Sequence, residues 1–152
     1  AERVAQVLDE LSALPGFREA DLVGHSMGGL VATYVLKRLD RARRIRRVIT
    51  LGTPHRGTPL ALAGALVFGA FSRAIWQMVP GSALLRELAE LPVPPGAELI
   101  AVGAASDAVV PHGFARVQGG PRHRNELLGR LDHLGFLHAR ESLQFVGAAL
   151  AA

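Results

Sequence analysis

Cysteine is absent from the 152 residues, which removes disulfides, thiolate nucleophiles and zinc–thiolate centres and leaves the redox compartment open. Lysine is nearly absent too: sixteen of the 17 basic residues are arginine, and against 13 acidic residues the net charge is only +4. Aromatic residues make up 5% of the chain, and none interleaves the densest basic run, residues 41–47, as base stacking on nucleic acid would require. That run lies between a helix end and an apolar strand, where cations suit the helix C-terminus. It therefore reads as a solvated connector, with no nucleic-acid partner. Long hydrophobic runs are missing as well. The longest, residues 59–71, falls short of the roughly 20 residues needed to cross a bilayer, and Arg73 soon follows. Six histidines are present, but no His-Glu-x-x-His spacing or compact ligand cluster joins them, so neither metal nor other cofactor is expected. No signal peptide is visible, and a start at Ala1 instead of methionine reads as a cut N-terminus.

What is present is a chain 49% hydrophobic, enough for one core and one domain. Residues 2–14 place Val4, Val7, Leu8 and Leu11 on one helical face before Pro15-Gly16. Short apolar strands are predicted at 21–25, 47–51 and 98–103, with a weaker one at 125–128, and a closing helix at 137–150. Helical material between strands predicts an α/β fold, a mostly parallel sheet with crossover helices. Residues 57–95 form an insertion-like segment with two helices, near 59–78 and 82–91. It can serve as a lid, as ordinary core, or as both.

The segment Gly24-His25-Ser26-Met27-Gly28-Gly29 follows a predicted strand and opens a helix. Met27, Leu30, Val31, Tyr34 and Val35 then repeat at a period of 3.6. In that setting Gly-x-Ser-x-Gly reads as a nucleophile elbow. Gly24 and Gly28, lacking Cβ, leave room for strand and helix to approach. The helix N-terminus directs unpaired N–H groups toward charge forming at Ser26, with Met27 N–H as one oxyanion donor.

An alcohol needs a base, and the base an orienting acid. The expected chain order is serine, acid, histidine. Asp107 lies in the loop after the third strand, at the carboxyl edge where open α/β sheets assemble their sites. Glu98, at the start of that strand, belongs to the opposite edge. His133 sits in a loop just before the closing helix, and His138 falls within that helix, so His133 is the favoured base. His25 neighbours Ser26, but successive side chains at a strand end point opposite ways. It and His55 are read as supporting residues. Asp132 adjoins His133, yet neighbouring side chains in an extended loop seldom meet.

The elbow continuing through Leu30-Val31-Ala32, together with Leu51-Gly52-Thr53-Pro54-His55-Arg56-Gly57-Thr58, resembles the triacylglycerol lipase and esterase branch of the α/β-hydrolases. Pro80-Gly81-Ser82 before Leu84-Leu85, the Ser106-Asp107 loop and Asp132-His133-Leu134 match in order and approximate spacing. The resemblance implies Ser26 as nucleophile, Asp107 as acid and His133 as base, no cofactor, and a small acyl ester or lipid as substrate. It further implies contact with a lipid interface through the lid without membrane insertion, and leans toward a secreted protein. The residues themselves leave compartment and oligomeric state open.

The family sheet has about eight strands with the nucleophile after the fifth, whereas here the elbow follows one helix. The His-Gly loop that supplies a second oxyanion N–H has no counterpart upstream of residue 21. The chain thus reads as the C-terminal portion of a partial α/β-hydrolase fold whose N-terminal strands are missing. Three functions stay open: ester hydrolase, acyltransferase, or a catalytically silent module binding through its uncovered sheet edge.

Overall fold

The computed structural model describes residues 1–40, 42–61 and 73–152. Its centre is a four-stranded parallel sheet, ordered β1 (Ala20–His25), β2 (Ile45–Leu51), β3 (Glu98–Ala104), β4 (His123–Leu128). Sequential parallel strands require a crossover between each pair. Helix α1 (Glu2–Ser12) leads into β1, and α2 (Met27–Tyr34) links β1 to β2. Helices α3 (Arg73–Gln77) and α4 (Ala83–Glu90) lie between β2 and β3, and the single turn α5 (His112–Ala115) between β3 and β4. Helix α6 (Arg140–Ala151) closes the chain.

The two sheet faces bury different partners because side chains alternate along a strand. Val48 and Leu99 point to one face and pack with Leu8 of α1 and Ala32, Val35 and Leu36 behind the elbow. Ile49, Leu51, Ile100 and Val102 point to the other and meet Phe136, Phe145 and Val146. Leu85 and Leu88 of α4 pack on Leu30 of α2, so this part of the expected lid segment is core. Ser82 caps α4, its Oγ accepting from Leu85 N–H. The predicted helix at 59–78 falls partly outside the described residues, which include its end as α3.

Several expectations shift. Helix α2 widens into a π turn, Val35–Leu39, where Asp40 N–H reaches Val35 O at 2.8 Å. Strand β2 begins at Ile45, inside the basic run. The run is ion-paired where a solvated connector was expected: Arg44 meets Asp9 and Asp40, Arg46 meets Asp21, and Arg47 lies between Asp21 and Glu98. Helix α6 starts at Arg140, so His138 lies before it, beside the 3-10 turn Gly135–Leu137.

Candidate active site

Ser26 closes β1 and caps α2 with φ 52° and ψ −127°, a backbone setting that costs an L-residue on the order of 1–3 kcal/mol unless its surroundings enforce it. They do. Its N–H donates to Leu51 O at 2.9 Å and its carbonyl accepts from Gly29 N–H at 3.0 Å. A Cβ on Gly24 would stand 2.6 Å from Gly29 Cα, and one on Gly29 would stand 2.0 Å from Thr53 Oγ1. Gly28, by contrast, faces open space. The close approach thus depends on Gly24 and Gly29, correcting the expectation for Gly28. Met27 supplies the first amide of α2, beside the Ser26 hydroxyl.

His133 Nε2 lies 2.9 Å from Ser26 Oγ, and His133 Nδ1 lies 2.8 Å from Asp107 Oδ2. With the imidazole proton on Nδ1, the serine hydroxyl donates to Nε2 and Nδ1–H donates to the carboxylate. Asp107 has no exposed side-chain surface, and its Oδ1 accepts from the N–H groups of Val109 and Val110, both at 2.9 Å. The loop thereby fixes one carboxylate oxygen and leaves the other to the histidine. The structure therefore brings Ser26, His133 and Asp107 into one hydrogen-bonded line at the carboxyl edge of the sheet.

Sequence reasoning missed Phe136 and Gly52, and read His25 as a supporting residue without its partner. His25 Nε2–H donates to the His133 carbonyl at 2.8 Å, and the two rings lie 4.7 Å apart. Phe136, 1% exposed, underlies both His25 and the loop. Gly52, at φ 53°, must be glycine, since a Cβ there would lie 2.8 Å from Phe136 and 3.1 Å from Asp107 Oδ2. The Leu51-Gly52-Thr53-Pro54 motif carried that signal. Asp132 serves its own turn, Oδ1 accepting from Gly135 N–H at 2.7 Å. His55 faces elsewhere, 2.9 Å from Thr50 Oγ1. Burial, then the charge of Lys37, holds its pKa near about 3, so it is neutral at pH 7.

A groove of about 460 Å³ runs along α2 from Met27 to Tyr34, its wall completed by Met78 and Leu84 with Gln77 and Glu87; Ser26 is not among its lining residues. Among the described residues no cluster of histidine and carboxylate groups could hold a metal ion. No described helix is long and apolar enough to cross a membrane.

A parallel sheet with a serine on the tight turn between β1 and α2 is an α/β-hydrolase architecture, and solved structures bear this out. The Bacillus licheniformis lipase BlEst2 in mature form superposes with a TM-score of 0.74 at 19% identity, over 97% of this chain and 70% of that one. A Paleococcus ferrophilus monoacylglycerol lipase gives 0.64 at 15% identity, over 99% and 72%. At these identities the likeness is one of fold. The chain belongs to the family of the PGAP1-like alpha/beta domain, whose model matches residues 2–127. A triacylglycerol lipase of Pseudarthrobacter phenanthrenivorans is 35% identical over 60 residues, which are 40% of this chain and 18% of that protein. One from Burkholderia plantarii is 35% identical over 60 residues as well, or 16% of its length. This chain therefore matches under a fifth of either relative.

Proposed function

We propose that the protein is a serine-dependent carboxylic-ester hydrolase acting on lipid-like acyl esters, built as a single domain over 1–152 with residues 57–95 as a lid-like insertion. The observation that carries this reading is the continuous hydrogen-bonded line from Ser26 through His133 to Asp107. Ser26 Oγ attacks the ester carbonyl while its proton passes to His133 Nε2. Asp107 fixes the imidazole tautomer and stabilises the imidazolium. The oxyanion forms against Met27 N–H at the positive end of α2. Collapse expels the alcohol with the proton from His133, and water then releases the acid by the same route in reverse. The apolar groove beside Met27 suits an acyl chain, and the triacylglycerol lipases among its relatives act as a further support.

Hydrolysis of p-nitrophenyl butyrate tests the assignment. Ser26→Ala should lose activity by more than about 10³-fold, and full activity in that variant would defeat it. One observation favours a second reading, a silent binding module: β1 is an edge strand, with Val23 46% exposed. Acceptor-alcohol competition separates hydrolysis from acyl transfer.

A further inference from the structure

A second cavity, of about 240 Å³, lies on the sheet face that carries Leu99, beneath α2 and α4. None of Ser26, Asp107 or His133 lines it. Its wall carries four cations, Lys37, Arg56, Arg86 and Arg116, together with the imidazoles of His55 and His123, and no carboxylate among the described residues that line it. They reach it from five separate places: the π turn, the loop after β2, α4, the segment after α5, and the start of β4. Six arginines elsewhere in the chain are matched to acids, Arg44, Arg46 and Arg47 among them. Arg56, Arg86 and Arg116 form no ion pair with any described residue.

We propose that this cavity binds a phosphate group, presented by a small phosphorylated solute. Lys37 is posed for it. The π turn brings its Nζ against the end of α4, where it donates to Leu88 O at 2.7 Å and Leu91 O at 2.8 Å. Two of three ammonium protons are thereby used, and one donor is left. Uncompensated positive charge is costly here: burial lowers Lys37 to about 8, and burial followed by the Lys37 charge lowers both His55 and His123. A dianion would reverse that cost, and fork-shaped guanidinium groups at the rim match its oxygens. The floor of Leu85, Leu88 and Leu99 gives the organic part of the solute an apolar seat. Cations gathered around a concavity fit a group that enters it, while a flat basic face would fit a membrane.

Calorimetric titration of the purified protein with inorganic phosphate tests this, alongside sedimentation with phosphatidylglycerol vesicles. Saturable binding of one phosphate per chain is expected, with proton uptake at pH 8.5 as Lys37 regains its proton. Arg86→Glu and Arg116→Glu, both exposed and remote from the serine, should each weaken binding roughly tenfold or more while ester hydrolysis is unchanged. Phosphate should also raise the melting temperature of the parent protein and raise it less in either variant. Absence of saturable phosphate binding, affinity in both variants equal to that of the parent protein, or binding to vesicles alone would overturn the proposal.

Discussion

Ser26 holds an unfavourable φ because its neighbours leave no alternative, and two adjacent glycines divide that work unequally. Gly29 lies against the fully buried Thr53, so Gly29→Ala should cost about 1–3 kcal/mol through overpacking. Gly28 faces open space in the first turn of a helix, so Gly28→Ala should be neutral or stabilise by up to about 1 kcal/mol. Urea unfolding of the two variants checks the opposite signs. The Gly-x-Ser-x-Gly pattern pointed to Gly28 because spacing along one segment is silent about what a distant loop presses against it. That Ser26, Asp107 and His133 come together was legible because chain order and strand ends restrict where the three can meet. His25 was legible only as a supporting residue. Alternation correctly turned its side chain away from the serine, but the loop at 131–134 returns to meet it there, so it holds the base's carbonyl.

Helices and strands were read well where apolar periodicity was strong, as in α1, α2 and β3, and less well where charges compensate over distance. Strand β2 starts within a basic run because Asp21 and Glu98 on its two neighbours accept the arginine charges. The π turn leaves no trace in the pattern, since one extra residue in a turn changes no residue type. It matters because it sets Lys37 against α4 and near His55. The loop after β2 then carries a pH dependence whose direction follows from His55. Its ordinary pKa of 6.5 is lowered to about 3 in the fold, so the unfolded chain binds the extra proton between those values. Stability present above pH 6.5 should therefore decline as pH falls below it, by about 1.4 kcal/mol per pH unit from this group. His55→Gln should flatten the difference between unfolding free energies measured at pH 7 and pH 5. An unchanged slope in the variant would show that His55 is not the source.

Taken whole, the molecule puts two chemically distinct concavities on one small sheet. A mostly apolar groove runs along α2 from Met27, and a basic cavity lies beneath α2 and α4. The parallel arrangement of the strands was legible because each apolar run is followed by material long enough to cross over. The basic cavity was not, because its side chains come from positions up to 86 residues apart, Lys37 to His123, and no single stretch of sequence carries the pattern. The chain covers 70% of the mature Bacillus licheniformis lipase, and β1 stands at its sheet's edge with Val23 exposed. The proposed chemistry rests on a serine made nucleophilic by the histidine and carboxylate aligned with it. Labelling with a fluorophosphonate, followed by mass spectrometry of the digested protein, tests this most directly. The account predicts a single covalent adduct on Ser26, lost when His133 is replaced by alanine. No adduct, an adduct on another side chain, or equal labelling of His133→Ala would contradict it.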